Sequence, residues 1–153
     1  MADLHVSVEG LDELDHVTEA LSEEERDLPD DLHKAIRDKA RDLAQQARDK
    51  VLGEPIHGIK QTGLRAKMAA GTTVEDTDDG ASVVVEPDGE DARLPADMDE
   101  GGWSHPVFGN RNNWVTQNGY FSWFTETMDE GDELIENALE DVLDQAAERI
   151  AGA

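Results

Sequence analysis

The stretch DDLHKAIRDKARDLAQQARDKVLGEP, residues 30–55, decides the fold. Leu32, Ile36, Ala40, Leu43, Ala47 and Val51 recur at three- and four-residue spacing, which puts them on one face of a helix of about five turns. Asp30 or Asp31 is placed to cap its start by accepting backbone N–H groups. Gly53 and Pro55 close it. Opposite the apolar face, Lys34, Arg37, Arg41 and Arg48 fall within a ~60° stripe. Asp38, Asp42 and Asp49 line up beside them. Two readings of the stripe stay open. It is either a solvated face with local ion pairs or a subunit-docking stripe that meets an acidic surface, with Lys60, Arg65 and Lys67 further on.

Working outward, Leu4, Val6 and Val8 alternate with polar residues, the period of a half-buried strand. Gly10 ends it. Leu11, Leu14, Val17 and Leu21 then predict a short helix that stops near Leu28–Pro29, because proline disfavours helix in the residue before it. Glu54 to Thr62 reads as a loop. Leu64 to Glu75, with mixed periodicity, reads as a strand. Asp76 to Gly80 is a turn, and Val83-Val84-Val85 a buried strand, so a hairpin with a five-residue loop is expected. Residues 88–102, acidic and punctuated by Gly and Pro, read as loop or short helix. Met128, Ile135, Leu139, Val142, Ala146 and Ile150 line one face of a C-terminal helix. Gly131 inside it would cost about 1 kcal/mol, so the helix is expected to begin on either side of that residue.

The chain has 153 residues, room for a single domain, and 13 basic against 37 acidic residues, a net charge of −24. Residues 32–71 alone run net positive in the first hundred, at +5; residues 125–153 carry −9. Such a field repels nucleic acid and anionic lipid. DNA binding through phosphate contacts is ruled down, since those need lysine and arginine. No run of 18 apolar residues occurs, so no membrane span is expected, and the N-terminus shows no secretory signal. Cysteine is absent, which removes disulfides and thiolate metal sites. Scarce lysine (five, against eight arginines) and abundant aspartate point to a high-salt source. There, screening lengths of about 3 Å at 1 M salt relieve self-repulsion. Loss of fold or of assembly at low ionic strength is the corresponding expectation.

One segment breaks the acidic pattern. Residues 103–124 hold all seven aromatics and a single charge, Arg111. Aromatics bury 150–250 Å² each, enough to wedge a small core shut. They also dominate interface hot spots, together with arginine. Both roles are compatible if part of the segment is exposed. Residues 106–119 are expected to form a structured Gly/Asn-rich loop, with Trp103, Phe108 and Trp114 anchored in the core and Arg111 bonding carbonyls or a carboxylate. His105, Asn110, Arg111 and Asn113 superficially suggest a nuclease. That chemistry needs a metal, and His5, His16, His33 and His57 sit at no ligand spacing. No catalytic, metal or cofactor site is expected, and Asp76 to Gly80 is too short for a calcium loop.

His105-Pro106-Val107-Phe108-Gly109-Asn110-Arg111, then Trp114 and Gln117, then Trp123-Phe124 ahead of a C-terminal helix, resembles the tail-completion (neck) protein family of long-tailed double-stranded DNA viruses. Thr62-Gly63-Leu64-Arg65 is similar to a Thr-Gly-x-Leu-Arg sequence of that family, without its spacer residue. Ser104 stands where a basic residue commonly precedes the His-Pro pair. The resemblance implies an α+β fold, a small antiparallel β-sheet packed against two long helices in a single domain. It implies no enzymatic activity and no cofactor. It implies a virion protein of the head–tail junction that joins a ring, sixfold in the assembled particle. Its neighbours would be head-closure and tail-terminator proteins, with viral DNA passing through the channel unbound. A tailed virus of a halophilic archaeon would reconcile this with the composition. The alternative function is an acidic DNA mimic that inhibits nucleic-acid-binding enzymes, its carboxylates supplied by residues 1–31 and 125–153.

Overall fold

The computed structural model describes residues 26–53, 63–78, 80–107, 110–118 and 122–152. The strand expected at Leu4–Val8, the helix expected at Leu11–Leu21, the loop 54–62 with Lys60, and Phe108 and Gly109 lie outside the described residues. Helix α1 spans Leu28–Gly53, α2 Leu64–Gly71 and α3 Leu94–Glu100, and α4 runs Thr125–Gly152. Strands β1 (Thr72–Thr77) and β2 (Gly80–Val85) pair antiparallel, and so do β3 (Gly102–Val107) and β4 (Asn110–Asn118). The architecture is α+β, with the β1–β2 sheet and the two long helices sharing one core.

Helix α1 organises that core. Its face Leu32, Ile36, Ala40, Leu43, Ala47 and Val51 is buried along its whole length, as the spacing required. Ala40, Ala44 and Ala47 are small enough to let neighbours approach closely. The β1–β2 hairpin and α4 both pack on α1. At the crossing with α4, a Cβ added to Gly131 would lie 2.5 Å from Leu43 Cδ1. Gly131 is therefore interior to α4 and buried, and the helix begins well before it at Thr125. The propensity cost of about 1 kcal/mol is offset because any side chain here would have to displace the buried Leu43.

Four local expectations are corrected. Leu28 and Pro29 are the first residues of α1. Asp30 and Asp31 therefore sit in its first turn, where they oppose the helix dipole, and are not caps. The stretch 64–75 is not one strand, because Leu64–Gly71 is helical. Ala66, Lys67, Met68, Ala69 and Ala70 are good helix formers, and β-branched residues begin only at Thr72. Gly71 makes the switch possible, since a Cβ there would lie 2.6 Å from the Glu86 carbonyl oxygen. The hairpin is tighter than a five-residue loop, because the strands stay paired as far as Thr77 opposite Gly80. Gly80 takes φ +151 against Ile36, which suits glycine alone. The fourth correction concerns residues 106–119. Residues 106–107 and 110–118 are strand, and Trp114 lies outside the core with 56% of its surface exposed.

Candidate assembly surface

The described residues of the aromatic segment fall into two parts with opposite environments. Trp123 and Phe124, just ahead of α4, are completely buried. Their rings meet edge to face with centroids 5.5 Å apart. Each ring removes enough apolar surface for roughly 4–6 kcal/mol of gross stabilisation. The Thr127 hydroxyl donates to the Trp123 carbonyl at 2.7 Å. The Trp123 indole N–H meets no acceptor among the described residues.

Asp99 clamps this wedge from α3. One carboxylate oxygen accepts the Phe124 N–H at 2.7 Å, and the other accepts the Thr125 N–H at 3.2 Å and the Thr125 hydroxyl. These are the donors that the first turn of a helix leaves without intrahelical partners. Asp99 thus caps α4 from a different element, and is itself buried. The Ser122 N–H bonds the Asp99 carbonyl at 3.0 Å, which holds Ser122 at φ +29, a region L-residues avoid. Sequence reading missed Asp99. It stands in a run of acids from 88 to 100, and only its place after the buried Met98 on a short helix would have marked it.

The other part is the β3–β4 hairpin. Residues 110–116 are exposed throughout β4. The Trp114 indole N–H donates to the Arg111 carbonyl at 2.8 Å, so the ring is fixed beside that residue. Val115 is also exposed. The Asn110 side chain accepts the Asn112 N–H at 3.0 Å and shapes the start of the strand. Ser104 and Thr116 share a hydrogen bond of 2.9 Å across the two strands. Trp103, His105, Pro106 and Gln117 occupy ladder positions, with Trp103 opposite Gln117, His105 opposite Val115 and Pro106 opposite Trp114. A register irregularity follows at Pro106/Val107, where proline cannot donate to the ladder. Arg111 is exposed and lends its carbonyl to Trp114. The segment therefore supplies both a buried wedge and an exposed arm, and the wedge is Trp123–Phe124.

Of the basic stripe, two members serve the fold. Arg48 donates from Nε at 3.0 Å and from Nη2 to the Thr72 carbonyl, which ties α1 to β1. Arg37 pairs with Asp76 of β1 at 2.8 Å. Lys34 and Arg41 both pair with Asp38 on their own helix. The hydrogen bond from Lys34, followed by the positive charges of Lys34, Arg41 and Arg37, lowers the Asp38 pKa below the ordinary carboxylate value. Asp42 pairs with Lys39, and Asp49 accepts from Gln45. Further on, Lys67 pairs with Glu90. The two long helices are also bridged, by Lys50–Glu126 at 3.5 Å and Arg149–Asp31 at 3.1 Å. Exposed pairs of this kind are worth about 0–1 kcal/mol each.

Comparison with protein families, curated proteins and solved structures gives no match to this chain. Among the described residues no three His, Asp or Glu side chains gather as a metal site, and no helix is long and apolar enough to cross a membrane.

Proposed function

We propose that this chain is a structural subunit of the neck of a long-tailed double-stranded DNA virus, joining head to tail. The observation that carries the reading is the segment His105 to Phe124. It keeps the family-like order of His-Pro, Asn-Arg, Trp and Trp-Phe ahead of α4. Its described exposed part is an acid-free arm with a fixed tryptophan, on a chain of net charge −24. A surface that is aromatic and nearly uncharged on so acidic a molecule suits contact with protein better than contact with solvent. In this role the subunit acts in the virion, assembles in the host cytoplasm into a ring, and meets head-closure and tail-terminator subunits. Acids facing the channel would let DNA pass without sticking, because they offer phosphates no cationic partner. No reaction and no cofactor is involved. The test is electron microscopy of particles made without this gene. DNA-filled heads and free tails are expected, and normally joined particles would overturn the reading.

One observation favours the second reading, a DNA mimic: all ten carboxylates of α4 are exposed. Purified protein should then compete with DNA for a nonspecific nuclease. Undiminished cleavage in the presence of excess protein discards it.

A further inference from the structure

We infer that the β3–β4 arm docks on the outer face of α4 of a second copy of this chain, in a head-to-tail contact. The inference rests on the neck reading and names the partner of its exposed arm. The argument starts from charge. Residues 102–118 carry one charge, that of Arg111, and are net +1; α4 carries ten acids and Arg149 and is net −9. Two copies meeting through their α4 helices would set −9 against −9. An arm meeting α4 sets +1 against −9, which replaces repulsion by attraction at the contact itself.

The exposed side chains of the two surfaces are complementary in kind. On α4, Glu130, Leu134, Asn137 and Asp141 recur at three- and four-residue spacing and form one stripe. All four are exposed, with Leu134 at 42%, an apolar centre flanked by carboxylates. The arm offers an exposed indole held at the carbonyl of Arg111, whose guanidinium is the arm's charge; Val115, the next residue along the strand, is exposed on the alternate face. The bond from Trp114 Nε1 to the Arg111 carbonyl holds the ring beside Arg111 before any partner arrives. A side chain ordered in advance loses less entropy on binding. Trp114 would cover Leu134, and Arg111 would pair with Glu130 or Asp141.

Arm and stripe are different surfaces, and both are exposed, so neither occupies the other within one chain. Each copy thus offers one donor surface and one acceptor surface, which is what a heterologous contact needs; such contacts build a ring when the rotation between copies closes.

The experiment mixes two broken subunits. One full-length variant loses the arm, Arg111→Glu with Trp114→Ala. The other loses the stripe, Leu134→Glu. All three residues are exposed, so unfolding midpoints should match the parent. If Leu134→Glu disturbs the fold, Glu130→Arg with Asp141→Arg takes its place. By sedimentation velocity the parent should form assemblies beyond a dimer, and each variant alone should be monomeric. An equimolar mixture should give a dimer and nothing larger, because one intact arm meets one intact stripe. A parent that is monomeric at every concentration reached overturns the inference. Variants that assemble alone, or a mixture that stays monomeric, overturn it as well. If the mixture is monomeric while the arm variant still blocks head-to-tail joining, the neck reading stands and the arm's partner is a different protein.

Discussion

Trp123 and Trp114 stand nine residues apart in the same acid-free segment, yet one is fully buried and the other is 56% exposed. Around Trp123 the chain is tied down from three directions: Phe124 at its edge, Asp99 capping the helix that follows, and Thr127 bonding its carbonyl. Around Trp114 the described ties run to its own hairpin, by the bond to the Arg111 carbonyl and by the antiparallel ladder. An isolated two-stranded hairpin is marginal in water. The body of the molecule therefore holds itself together, whereas the arm is the surface that the proposed assembly would use. Aromatic composition alone does not say which role a ring plays. What decides is whether an acceptor or an apolar face from a distant element reaches it.

That contrast can be broken or sharpened in steps. The largest effect is expected at Trp123. Trp123→Ala should cost about 3–5 kcal/mol of unfolding free energy in denaturant titration, the usual range for a buried aromatic. A midpoint unchanged from the parent would place the ring outside the core.

Asp99→Ala comes next. It leaves the Phe124 and Thr125 N–H groups without their acceptor, and about 1–3 kcal/mol should be lost. Hydrogen exchange should report it first at the start of α4. Exchange there as slow as in the parent would mean that Asp99 is not the cap.

Gly131→Ala tests the other end of the body's packing. The added methyl meets Leu43, so overpacking of about 1–3 kcal/mol competes with a helix-propensity gain of about 1. A net loss is expected, and pairing the change with Leu43→Ala should remove the clash. A stabilised single variant would show that Leu43 leaves room for a methyl group at the crossing of the two helices.

The smallest effect belongs to Asp38. Its pKa is lowered in the folded chain, so folding favours the ionised form. The contribution is present above the ordinary carboxylate range and is lost as pH falls through the depressed folded value. Side-chain carboxyl NMR titration should show the low midpoint, and Lys34→Ala should raise it. An Asp38 midpoint unmoved by that change would remove the hydrogen bond as its cause.

The legibility of the sequence follows the same division. The buried face of α1 was readable residue by residue, because a six-residue apolar repeat over five turns has one geometric solution. The Val83–Val85 strand was readable too, and β2 is indeed buried. Residues 64–71 were not, since Ala, Met and Lys fit several periods and the helix is fixed by the close approach of Gly71 to the chain at Glu86. The stripe of Lys34, Arg37, Arg41 and Arg48 was visible as a stripe. The partners of Arg37 and Arg48 were not, because Asp76 and the Thr72 carbonyl are brought near by folding. The aromatic segment was recognisable, but its division into wedge and arm was not. Both tryptophans have the same neighbours in composition, and only the contacts made by Asp99 and α4 separate them.

The central claim is that the body folds without the arm's tryptophan while assembly requires it. The direct measurement is the fraction of heads carrying tails, counted in electron micrographs, when the missing gene is replaced by its Trp114→Ala form. The account predicts a protein with the parent's unfolding midpoint, within the ±0.5 kcal/mol typical of exposed sites, and a loss of most joined particles. Joined particles at the parent's frequency would contradict it.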